Sequence, residues 1–263
     1  MITYPLVVAD SATMLRRNLR RMRRYPSLTM FIVGAPVVFL LLFVYVFGGT
    51  LGAGLGQVSG GRAAYVAYVV PGILLITVAG AAQGTAISVA MDMTEGIIAR
   101  FRTMDIARAS VLTGHVVGSV IQTMLAIVVV MLVALLVGFR STTGPIEWLA
   151  AAGLLVIAAG AMSWLSVALG MAAKSVETAS NLPIFLILLP FLSSGFVPTG
   201  SMPGPLGWFA EHQPFTPLIE TVRGLLLGTP IGNSGLIAIA WCVGIGVVSY
   251  VWALRLYNRD PRA

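Results

Sequence analysis

Two histidines, one cysteine and nine carboxylates are all the sequence offers for acid–base, nucleophilic or metal chemistry. Their placement argues against each. His115 and His212 fall in different apolar segments, and Cys242 stands alone in a third. A lone cysteine excludes an internal disulfide and a cysteine-built metal site. No apolar segment holds two carboxylates or a histidine pair, the constellations that hydrolytic and metal chemistry within a membrane require. The phosphate-loop pattern GxxxxGK[ST] does not occur, so this chain is not expected to hydrolyse ATP and needs no cofactor of its own. Gly52, Gly54 and Gly56 form a glycine-rich patch that no strand or helix frames, and it reads as an outer loop.

What remains is a small set of polar side chains inside apolar runs. His115, Ser119 and Gln122 recur at helical spacing, with Gly114 and Gly118 on an adjacent stripe. Gln83 lies beside Thr85, Ser88 and the Gly80–Gly84 GxxxG pair. Asn181 and Pro183 are placed to bend a helix. Such residues are costly in lipid; they either bond across helices or line a path for a polar or amphipathic solute. Both readings stand for His115, Ser119 and Gln122. The GxxxG suits helix packing or a seam between two subunits. Glu220 and Arg223, three residues apart, are spaced to pair on one helix face.

Two clusters of arginine form the other chemical signal. In residues 10–24, DSATMLRRNLRRMRR, the side chains of Met14, Leu15, Leu19 and Met22 fall on one side of a helix. Arg16, Arg17, Arg20, Arg21, Arg23 and Arg24 fall on the other. That separation marks a helix lying in the membrane interface, each arginine worth about 1 kcal/mol against anionic headgroups. Pro26 ends it. Residues 92–108, DMTEGIIARFRTMDIAR, give a second short amphipathic helix, with Thr94 as its cap and Glu95 in its first turn. Ile97, Ile98, Phe101 and Met104 make its apolar stripe, and Arg100 and Arg102 its basic side.

The elements that must carry these residues follow from composition. Of 263 residues, 58% are hydrophobic and 10% charged, with a mean hydropathy of +0.95. Soluble domains are about a quarter charged, so too few charges remain here to cover a water-facing surface. A helix crosses the apolar core of a bilayer in about 20 residues. Six such runs occur, at about 29–48, 65–90, 110–138, 147–172, 180–197 and 235–256. The fold expected is all-α and integral to the membrane. It has an amphipathic N-terminal segment over 1–27, a transmembrane domain over 28–258 and a tail over 259–263. The stretch 198–233 is too apolar for an ordinary loop and too rich in proline to span. It reads as two short re-entrant or interfacial helices, near 205–212 and 215–227.

The net charge of +7 then finds its explanation in topology rather than in nucleic acid. With the N-terminus cytoplasmic, 13 basic residues fall inside and only Arg62, Arg140 and Arg223 outside. Positive loops stay inside, so both termini are expected in the cytoplasm. Fifteen arginines to one lysine, with abundant Ala, Gly and Val, suggest a high-GC bacterium and hence its plasma membrane.

Two stretches carry a family resemblance. TEGIIARFRTMDIARASVLTGHVVG resembles the second-to-third-span loop of ABC type-2 exporter permeases, in particular the daunorubicin-resistance-like branch. FLSSGFVPTGSMPGPLGWFAEHQPFTPLIETVRGLLLG, residues 191–228, resembles their outer segment before the last span. Asp105 stands where the family often has proline, and Gln213 where it often has asparagine. The resemblance covers about 12–260. It implies a permease subunit paired with a second permease, identical or homologous, and with two ABC ATPases that hold ATP and Mg. Glu95, Gly96, Ile97, Ile98, Arg100, Phe101, Arg102 and Met104 would enter a groove of the ATPase, and the N-terminal helix would make a second contact. Hydrophobic or amphipathic compounds would be the cargo, with polysaccharide or glycolipid export as the alternative. An assembly factor or intramembrane enzyme is the reading from another class.

Overall fold

The computed structural model describes residues 26–49, 61–96 and 108–258. Among these, every regular element is helical. α1 (Pro26–Leu41) runs into a π-helical turn, Leu42–Phe47. Then come α2 (Gly61–Thr94), α3 (Arg108–Val137), α4 (Pro145–Ala172) and two short pieces, α5 (Val176–Asn181) and α6 (Ile184–Leu188). A 3₁₀ turn at Thr199–Ser201 precedes α7 (Gly204–His212), α8 (Phe215–Leu227) and α9 (Ser234–Asn258).

α2, α3, α4 and α9 are long and apolar enough to cross a membrane. Two further apolar helical stretches, Ile32–Phe47 and Val176–Leu188, are shorter. The expected fifth span, 180–197, is not one helix. Pro183 lacks an N–H to donate, and the chain breaks between α5 and α6; it then runs through turns past Pro190 to Phe196. Pro26 begins α1, a position where its missing N–H costs nothing. The expected outer helices appear as α7 and α8.

The spans differ in how much protein encloses them. In α2 and α4, 72% of the most apolar stretch is buried; in α3 the share is 33% and in α9 22%. α2 and α4 therefore form the centre, with α9 laid on α4 and α3 against both. Their closest crossing is at Gly170 of α4. A Cβ there would stand 2.6 Å from the carbonyl oxygen of Ala86 on α2, so only glycine allows it. Gly80 does not play this part: a Cβ on it would meet nothing within 4 Å among the described residues. α3 and α9 leave Leu125, Val128, Leu132, Leu136, Val247 and Val248 exposed, as helices bathed in lipid do.

α1 packs on α2 and α3, with Leu40 and Val44 fully buried. The π-helical turn carries Phe43 onto Phe196, ring centroids 4.4 Å apart, and Phe191 stacks on Phe196 at 5.1 Å. Phe39 meets Phe191 edge-on at 5.6 Å.

Candidate functional site

Polar side chains gather at two places. The first lies along α3 where it faces α2 and α4. His115, Ser119 and Thr123 follow one another by single helical turns. Nε2 of His115 lies 3.1 Å from Oδ2 of Asp92 on α2, with both side chains almost wholly buried. Ser119 Oγ accepts from Thr85 on α2 at 2.6 Å and from Ser163 on α4 at 2.9 Å. Thr123 returns its hydroxyl to the Ser119 carbonyl at 2.8 Å. The seam is otherwise dry: Val89, Leu112, Val116, Val167, Ala168, Met171, Ala253 and Tyr257 pack beside it.

His115 and Ser119 thus bond across to the neighbouring helices. Gln122 is half-buried, and its side chain makes no hydrogen bond among the described residues. Gln83 ties α2 to the short helix beyond α4, its Nε2 donating to the Ser180 carbonyl at 2.7 Å. Asn181 is exposed and Pro183 buried at the helix break.

Asp92 was legible in the sequence only as the start of a loop. It is helical instead, because α2 runs on to Thr94. Thr94 and Glu95 do not open a short helix. The Thr94 hydroxyl donates to the Met91 carbonyl, the Glu95 N–H bonds Met91, and the Gly96 N–H bonds Met93. Gly96, with φ +70°, then turns the chain out of the helix. Glu95 and Gly96 thus terminate α2. Ile97, Ile98, Arg100, Phe101, Arg102 and Met104 lie outside the described residues, as do Arg16, Arg17, Arg20, Arg21, Arg23 and Arg24.

The second gathering lies at the opposite end of α2. Arg223 of α8 donates through Nη2 to the Ser194 carbonyl at 2.7 Å and to the Tyr68 carbonyl at 3.2 Å. Its guanidinium lies 4.0 Å from the centre of the Tyr68 ring. The Tyr68 hydroxyl donates to the same Ser194 carbonyl at 2.9 Å. Glu220 does not pair with Arg223: it accepts from the Ser234 hydroxyl at 2.9 Å. The Ser194 carbonyl, in the turns that replace the expected fifth span, and the Tyr68 carbonyl of α2 hold the guanidinium in place of the neighbouring carboxylate. Gly72 of α2 backs directly onto Gly195, where a Cβ on Gly72 would be 3.0 Å from the Gly195 Cα.

Around this point side chains bond several groups of the irregular backbone. Gln213, between α7 and α8, donates to the Leu189 carbonyl at 3.2 Å and accepts from the Phe215 N–H at 3.0 Å. Thr216 donates to the Ala210 carbonyl and accepts from the Ser194 N–H. The α3–α4 connection closes the end of α8: Ser141 donates to the Leu226 carbonyl at 2.6 Å and Thr142 to Leu227 at 2.8 Å. Trp148 Nε1 holds Ser141 at 3.1 Å. Arg140 donates to the Leu135 and Phe139 carbonyls, and Arg62 lies 5.2 Å from the Tyr45 ring centre. All three basic residues assigned to one side of the membrane by charge counting therefore sit at this end.

A bundle of apolar helices with two polar seams, one between regular helices and one around broken ones, defines a helical membrane protein. Its particular kind comes from comparison with known proteins. Residues 11–227 match the ABC-2 type transporter family, and the chain belongs to it. It is similar to the daunorubicin resistance ABC transporter permease protein DrrB1 of Streptomyces coeruleorubidus, 28% identical over 255 residues, covering 95% of this chain and 87% of that one. It is also similar to the probable doxorubicin resistance ABC transporter permease protein DrrC of Mycobacterium tuberculosis, 29% identical over 253 residues, with 94% and 88% covered. The chain is a bacterial membrane transport protein of the ABC kind, and the ATPase it works with is a separate ABC subunit.

Proposed function

We propose that this chain is the permease subunit of an ATP-driven exporter that moves hydrophobic or amphipathic compounds, anthracycline-like drugs among them, out of a bacterial cell. The observation that carries this reading is similarity over 94–95% of the chain to permeases named for daunorubicin and doxorubicin resistance. The scarcity of charge along the enclosed faces of α2 and α4 suits such cargo.

In this reading six segments cross the membrane, α1 and the broken α5–α6 stretch joining the four long helices, and both termini are cytoplasmic. Two permeases, identical or homologous, meet two ATPases that hold ATP and Mg. The segment from Ile97 to Met104, just beyond the Gly96 turn, enters the ATPase, and the arginine-rich helix over 16–24 makes a second contact while resting on lipid headgroups. α7 and α8 cover the outer end of the path.

Reconstitution with the copurifying ATPase tests the reading. Inside-out vesicles should accumulate daunorubicin only with ATP and Mg, and deletion of 97–104 should abolish ATPase capture while insertion persists. A cysteine near Arg62 should label from outside the cell and one near Arg102 only from inside. Failure of wild type to capture an ATPase, or the reverse labelling, overturns the reading.

A further inference from the structure

The buried pair Asp92–His115 bridges the two helices that bracket the 97–107 segment. It joins the last turns of α2 to the first turns of α3, with Nε2 and Oδ2 3.1 Å apart and side chains only 2% and 4% exposed. One turn further along, Thr85, Ser119 and Ser163 already tie α2, α3 and α4 with neutral hydroxyls. Apolar contacts such as Val89 with Leu112 and Val116 fill the rest. A buried carboxylate is expensive unless matched, and apolar residues of similar volume generally hold a fold as well or better. What an ionisable hydrogen-bonded pair adds is direction. A bond between a fixed donor and a fixed acceptor sets both the rotation and the axial register of two helices, which apolar surfaces allow to slide.

We propose that Asp92 and His115 are positioning residues for energy coupling. They lock the adjoining ends of α2 and α3 into one body, so that displacement of the 97–107 segment is delivered to the bundle instead of being absorbed by slippage at the helix ends. The proposal rests on the reading of that segment as the ATPase contact. An ionised Asp92 carboxylate can only accept, so opposite it the bond places the hydrogen on Nε2 of His115.

The test uses the permease purified with its ATPase, reconstituted in vesicles, with ATP turnover and daunorubicin uptake measured side by side. In the double variant D92L/H115L both partners of this bond are removed together. It should copurify with the ATPase as wild type does and turn over ATP within about threefold, yet move about tenfold less daunorubicin per ATP. His115→Gln, which keeps an N–H directed at Asp92, should recover uptake per ATP to within about twofold of wild type. A merely structural pair would lower turnover and uptake together, in step with the amount of folded complex. Wild-type uptake per ATP in D92L/H115L overturns the proposal while leaving the exporter reading intact. Should that variant fail to accumulate, His115→Leu against His115→Gln at matched amounts of complex decides the same question: equal uptake per ATP overturns the lock. Absence of ATP-driven uptake by wild type removes the exporter reading and the lock with it.

Discussion

At the Asp92 end of the bundle the side chains that join α2, α3 and α4 bond to one another; at the Arg223 end polar side chains bond mainly to backbone. His115 meets Asp92, and Ser119 meets Thr85 and Ser163, all on unbroken helices whose own peptide groups are already satisfied. Arg223 and Tyr68 reach the Ser194 carbonyl in the turns after α6, Ser141 and Thr142 reach the last carbonyls of α8, and Gln213 adds a donor to the Leu189 carbonyl, which also accepts from the Leu192 N–H. Away from water an open peptide group costs several kcal/mol, so irregular chain survives only where protein supplies the missing partner. The contrast separates two jobs. One end uses polarity to fix how regular helices sit against each other. The other uses it to make an irregular segment tolerable.

The comparison predicts a descending series of effects on stability, each measurable by SDS-titrated unfolding in mixed micelles. Arg223→Met should cost the most, about 3 kcal/mol, because it strips charged donors from two carbonyls at once. Arg223→Lys should recover only part, since an ammonium lacks the guanidinium fork and its flat face on Tyr68. Gly170→Ala should follow at about 2 kcal/mol, as its new methyl meets the Ala86 carbonyl. Ser119→Ala should cost only about 0.6 kcal/mol, the usual worth of a side-chain bond between membrane helices. Thr85 retains its bond to the Ala81 carbonyl and is not orphaned. Least affected should be Glu220→Gln, below about 0.5 kcal/mol, because the amide oxygen still accepts from Ser234. A loss in Glu220→Gln as large as in Arg223→Met would show that the two form an ion pair after all, and the contrast between the ends would fall.

The two ends were unequally legible in sequence. Hydropathy located α2, α3, α4 and α9, because twenty consecutive apolar residues need no partner to be recognised. Prolines were a weaker guide: Pro183 marks the break inside the expected fifth span and those over 203–217 mark the interrupted stretch before α9, yet Pro36 and Pro71 lie inside α1 and α2 without breaking them. Helix ends were harder. Apolarity stops where lipid stops, near residue 90, but hydrogen bonding continues to Thr94, and so Asp92 looked like loop. Thr94 followed by Glu95 carries the composition of a helix start; the left-handed Gly96 makes it a helix end. Partnerships across the bundle were not legible at all. Gly170 needed Ala86, His115 needed Asp92, and Arg223 needed the carbonyl of Ser194, each on a distant part of the chain. The i, i+3 spacing of Glu220 and Arg223 suggested the wrong partner because spacing cannot weigh a nearby carboxylate against an unbonded carbonyl.

The π-helical turn at Leu42–Phe47 carries one consequence of its own. A turn bonded i to i+5 holds an extra residue relative to an α-helix, and removing one residue there would leave an unbroken α-helical ladder. A π turn takes about one residue more than an α turn for the same rotation, so the chain before and after that deletion would keep its facing. Leu40, fully buried, and Val38, 61% exposed, would go on pointing where they do. A single-codon deletion inside α1 itself would instead swing everything before it by about 100°, so these six residues are where the first helix can lose one without turning its buried face outward.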